Sequence, residues 1–167
     1  YKIKMPSQKF ESPIPSDAVQ RRLSEFVPGS DKLALELAFT LRRSVQKVDA
    51  ALGRFLQSDA LSPGRWQVLV VLWSRDAPIS QSEIVDALEV SRATVSGLVD
   101  ALRSDGHVTT IVDPDDRRKI SVTLTDTARK MTARLIKKNA SRLRDEFASL
   151  NEDDLRQILH ILRKATL

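Results

Sequence analysis

Residues 80–124 leave the chain few folds to choose from. Ser80-Gln81-Ser82-Glu83 fits a capping box, in which the Glu83 carboxylate reaches back to the Ser80 amide. It opens a short helix with Ile84, Val85 and Leu88 turned inward. The connection Glu89-Val90-Ser91 follows, and Ser91 caps a second helix whose inner face is Val95, Leu98, Val99 and Leu102. Gly106 ends that helix, as a residue free to adopt positive φ does. Residues 107–112 and 119–124 are β-branched and partly alternating, with the turn residues Asp113-Pro114-Asp115-Asp116 between them, so the pair reads as a hairpin. Two helices and a hairpin in this order make a winged helix-turn-helix. Leu88, Val90, Val95 and Leu98 must converge in one small core to hold the helices at a steep angle, and that angle frees the outer face of the second helix to enter a groove.

The flanks are helical. Residues 1–29 mix Pro6, Pro13, Pro15 and Pro28 with Lys, Ser and Gln and read as an irregular N-terminal arm, in which residues 17–26 have room for a short helix. From Asp31 onward Leu33, Leu37, Leu41, Val45, Val48, Leu52 and Phe55 recur on one helical face. Ser62-Pro63 supplies a cap and a first-turn Pro for a helix carrying Trp66, Leu69, Val70 and Trp73. Thr125 caps a long helix to about Ala148, and Asn151 with Glu152, Asp153 and Asp154 starts a last one. The expected architecture is mainly α with a small β-hairpin wing. Its parts are an arm over 1–29, a helical dimerisation region over 30–60 and 125–167, and a DNA-binding winged helix-turn-helix over 61–124. Stripes as long as those outside the winged lobe are more than a lone domain of that size covers, which points to a homodimer.

Composition narrows the function classes. No run of apolar residues is long enough for a membrane span, and residues 1–29 lack the apolar core of a secretory leader. Cysteine is absent and the two histidines, His107 and His160, lie far apart, so neither a metal site nor a cofactor is expected. A reducing cytoplasm is the natural setting. There is no nucleophile–base pair and no Gly-rich phosphate loop, which argues against an enzyme. The net charge of +5 is compatible with a polyanionic partner, yet residues 76–124 hold only 5 basic side chains against 9 acidic ones.

The outer face of the second short helix offers Ser91, Arg92, Thr94, Ser96 and Gly97, short and polar apart from the one cation. Short side chains let a helix sit deep in the major groove, where hydroxyls and Arg bond base edges or phosphates. Helix-turn-helix shapes also serve as protein-interaction modules, and Ser91 is explained as a cap whether or not it touches DNA. The hairpin tip adds Asp116, Arg117, Arg118 and Lys119. Arginine at such a tip suits a narrow minor groove, and Asp116 is able to orient it.

Residues 91–128, SRATVSGLVDALRSDGHVTTIVDPDDRRKISVTLTDTA, resemble the MarR family (multiple antibiotic resistance regulators). The match runs through Ser-x-x-Thr-Val-Ser, Leu102, Gly106 with Val108, Asp116-Arg117-Arg118, Thr125 and Ala128. Departures are Glu89 at a turn position often held by Gly, Gly97 where many relatives carry Arg, and Arg103 where an acidic or β-branched residue is usual. The resemblance implies a triangular dimer in which the first helix and the last two helices of each subunit interlock, with two winged lobes on a pseudo-palindromic operator. It implies a repressor released by a small aromatic or lipophilic effector held between the dimer helices and the winged lobe. Trp66, Trp73, Arg42, Arg43 and Lys47 fall on helices that line the family pocket. Trp66 and Trp73 read as core and Arg43 and Lys47 as solvated, so effector-binding residues are unassigned.

Overall fold

Caps set most of the helix boundaries. The computed structural model describes residues 15–75, 77–112 and 120–166. The helices are α1 (Asp17–Phe26), α2 (Gly29–Leu56), α3 (Pro63–Trp73), α4 (Gln81–Leu88), α5 (Arg92–Ser104), α6 (Asp126–Glu146) and α7 (Glu152–Thr166). The strands are β1 (Ile79–Ser80), β2 (Val108–Val112) and β3 (Ile120–Leu124). Ser62 accepts the Arg65 amide with Pro63 at the first helical position, and Thr125 accepts the Ala128 amide. Asn151 and Asp154 exchange side chain-to-backbone bonds of 2.9 and 3.0 Å at the start of α7.

The chain divides within α2 into two units, Tyr1–Ala51 and Leu52–Leu167. In the first, the stretch expected as an irregular arm contains α1. Asp17 in its first turn is ion-paired with Arg43 of α2, and this guanidinium holds the Asp17 carboxyl below its ordinary range. Arg43, expected to be solvated, is therefore half-buried in a pair. Along the rest of α2 in this unit, Leu33, Leu37, Leu41 and Val45 are exposed, Leu33 by 72%.

The second unit holds the core. Leu56, Val68 and Leu69 pack with Ile84 of α4, Val95, Val99 and Leu102 of α5, Val122 of β3 and Leu135 of α6. Trp66 is buried as expected. Trp73 is not core, being 38% exposed at the last residue of α3. The sheet has three strands in the order β1-β3-β2, all antiparallel. β2 and β3 are the expected hairpin, registered from Val108 opposite Leu124 to Val112 opposite Ile120. β1 is an addition: Ile79 pairs Val122 and Ser80 pairs Ser121, which ties the capping box of α4 to the sheet. Among the described residues no helix is long and apolar enough to cross a membrane.

Candidate nucleic-acid interface

α4 and α5 are both fixed at their N-termini by the hydroxyls expected to do so. At α4 the Ser80 amide donates to Glu83 Oε2 (2.8 Å), and the Glu83 amide donates to Ser80 Oγ (3.2 Å). The bond from the Ser80 backbone, helped by the Ser80 hydroxyl, pushes the Glu83 carboxyl below its ordinary range. Glu89 closes α4 in the left-handed conformation, φ 53° and ψ 38°. It takes the geometry of the Gly often found there rather than a different turn. At α5 Ser91 Oγ accepts the Thr94 amide (3.1 Å) and shares a hydrogen bond with Thr94 Oγ1 (2.8 Å).

Val95, Val99 and Leu102 bury one side of α5, while Leu98 is half-buried against the same core. Gly64 of α3 lies beneath it; a Cβ there would sit 3.1 Å from Leu98 Cδ2, so the absent side chain lets α3 and α5 approach. The far end of α5 is held by Arg65, which donates to Asp105 Oδ2 (2.5 Å) and to the Ala60 carbonyl (2.8 Å). Thr125 closes the base of the hairpin by donating through Oγ1 to the Gly106 carbonyl (3.1 Å) and through its amide to the His107 carbonyl (3.0 Å). Anchors on three sides, of which the hydrophobic one is buried, thus fix α5 and leave its outer surface bare.

The structure brings Ser91, Arg92 and Thr94 together at the exposed N-terminal turn of α5; Ser96 is half-buried. Arg92 lies across to α4, where Nη2 donates to Ser82 Oγ (3.0 Å). Asp116, Arg117, Arg118 and Lys119 lie outside the described residues. Directly opposite the buried stripe stand Ala93, Gly97, Asp100 and Ser104, all exposed. Nothing lies within 4 Å of the position a Gly97 Cβ would take. Asp100 pairs with Arg103 (2.9 Å). Sequence reasoning passed over Ala93 and Asp100, although stepping 100° per residue from Val95, Val99 and Leu102 finds both. It also passed over Ser82, for which no local signal exists because its partner lies ten positions on. Among the described residues no cluster of His, Cys, Asp and Glu is able to hold a metal ion.

Residues 61–119 match the family model described as MarR family. The HTH-type transcriptional repressor YetL of Bacillus subtilis (strain 168) is 32% identical over 96 residues, 57% of this chain and 58% of that protein. The chain therefore spans little more than half of that relative's length. The HTH-type transcriptional regulator PecS of Dickeya dadantii (strain 3937) is 29% identical over 141 residues, 83% of this chain and 84% of its own. Among solved structures, the transcriptional repressor CouR bound to a 23-mer DNA duplex superposes with a TM-score of 0.72. It is 26% identical, and the match covers 84% of this chain and 99% of that one. CouR from Rhodococcus jostii RHA1 has also been solved with p-coumaroyl-CoA.

Proposed function

The chain belongs to the MarR family of transcriptional regulators, and we propose that it acts in the cytoplasm as a homodimeric repressor on a pseudo-palindromic operator. Its matched relatives are DNA-binding regulators rather than enzymes. The observation that carries the proposal is α5. Its inner side is anchored by Val95, Val99 and Leu102, and its exposed side presents hydroxyls, a glycine, the Asp100–Arg103 pair and, at the N-terminal turn, the Arg92 cation, with no apolar patch to favour a protein partner. Ser91, Arg92, Thr94 and Ser96 belong to the major-groove surface. In the wing, Arg118 enters the flanking minor groove, Asp116 holds an arginine in the required rotamer, and Arg117 and Lys119 meet phosphates. A small aromatic or lipophilic effector releases the DNA, a reading supported by the p-coumaroyl-CoA that CouR holds.

An electrophoretic shift of the duplex upstream of the protein's own gene, against a random duplex of equal length, tests the reading. Preference for the upstream duplex, abolished by one member of a panel of aromatic acids and thioesters, is the expected outcome. Equal binding to both duplexes would sink it. For the wing, Asp116→Ala is expected to lower the preference for A·T-rich flanks although it removes a negative charge. Simple tightening on all DNA would reduce the wing to a charged loop.

A further inference from the structure

The positive charge of this chain is concentrated where the operator reader is not. Residues 127–144 of α6 contain seven basic side chains and no acidic one; the remainder of the sequence holds 20 basic and 22 acidic residues. With Asp126, Asp145 and Glu146 at its ends α6 as a whole carries +4, most of the +5 net charge of the chain. Residues 76–124, which include α5, are net negative.

These cations are segregated on the helix. Thr132 and Leu135 are buried and Met131 and Ile136 pack against the core, so one side of α6 faces inward. Lys130, Arg134, Lys137, Lys138 and Arg144 follow one another along the exposed side. Arg134 bonds Asp59 (2.7 Å), whereas Lys130, Lys137, Lys138 and Arg144 have no acidic partner among the described residues. Arg142 is set apart, paired with Glu146 and stacked over the Phe55 ring.

We infer that this exposed face of α6 is a second, sequence-independent binding surface for duplex DNA. The inference rests on the chain being a DNA-binding regulator only in its choice of polyanion. From Lys130 to Arg144 the helix rises about 21 Å, a length over which one strand presents about six phosphates. Lysines suit this use: they are compact charges on flexible stems that follow a phosphate row without demanding fork geometry. Contacts to phosphates carry no sequence information, so a surface that meets only the backbone does not discriminate sequence. Because a duplex lying here is held in addition to the one read by α5, a regulator already on its operator is able to take up a second stretch of DNA.

The test saturates the protein with the unlabelled duplex from upstream of its own gene. A fluorescent random duplex of about 30 base pairs is then added, and anisotropy is followed as salt rises. Capture at about 50 mM salt is expected, weakening roughly 100-fold by about 200 mM for four phosphate contacts. Lys130→Gln/Lys137→Gln/Lys138→Gln should lower capture by at least about tenfold and the salt slope by about 2.7, with affinity for the upstream duplex within about twofold of the original. Arginine at the same three positions should preserve capture. No second duplex bound at low salt, or equal capture by the triple Gln variant, overturns the inference. So does binding to phosphatidylglycerol vesicles without capture of DNA. Failure of the upstream duplex alone, with the random duplex still captured through these lysines, would overturn the operator reading and leave this one standing.

Discussion

Glu89 joins α4 to α5 with positive φ, a conformation that costs an L-residue about 1–2 kcal/mol and glycine almost nothing. Glu89→Gly should therefore stabilise the fold by about 0.5–1 kcal/mol, after allowance for the freer unfolded chain. The check is the urea midpoint; a lower midpoint would mean that the Glu89 side chain makes a contact worth more than the strain. Glu83 carries a pH prediction. Its carboxyl is held below the ordinary range by the Ser80 amide and hydroxyl, so its contribution to stability is full above the unfolded pKa and is lost as pH falls through the folded one. Glu83→Gln should melt below the original protein at pH 7, and the gap should close below about pH 4. A gap that persists in acid would assign the effect to packing rather than to charge.

Most of the elements were legible because each is declared locally. Ser62, Ser80, Ser91, Thr125 and Asn151 all sit at helix starts, and Gly106 adopts the positive φ (73°) its position required. Two residues are too few for a β-strand period, so β1 was invisible; it forms only because β3 offers Val122 and Ser121 an open edge. Trp73 was misplaced because periodicity gives the side of a helix and not where the core stops. The long-range clamps on α5, Arg65 to Asp105 and Arg92 to Ser82, leave no local trace. The second clamp makes a graded prediction. Arg92→Ala should cost about 1–3 kcal/mol of discrimination between the upstream duplex and a random one. Ser82→Ala, which removes the acceptor and keeps the cation, should lose a smaller part of the same discrimination and leave random-duplex affinity unchanged. Equal weakening on both duplexes by Arg92→Ala would reassign it to a phosphate.

At the scale of the whole molecule, the question is what covers the apolar side chains that one chain leaves in water. α2 exposes Leu33, Leu37, Leu41 and Val45, and α7 separately exposes Ile158, Leu159 and Ile161, by 42–53%. α7 is acidic at its start and basic at its end, as the helix dipole favours, and Arg156 pairs with Glu152, so its charged groups are at ease in water and its apolar side is what seeks a partner. Under the proposed homodimer, a second copy of the chain would meet this need through an interface of roughly 2,000 Å² or more. Leu159→Asp, and independently Leu37→Asp, would each place an unpaired carboxylate in that interface. Each should raise the dimer dissociation constant by at least about a hundredfold, near 3 kcal/mol. Both side chains are exposed in the single chain, so helical circular dichroism should hold while light scattering reports the smaller particle. Affinity for a two-half-site duplex should fall with dimer content, and affinity for a single half-site should not. A variant that turned monomeric yet kept full affinity for the two-half-site duplex would break the link between assembly and DNA binding. An unsubstituted protein that was monomeric at micromolar concentration would remove the dimer itself.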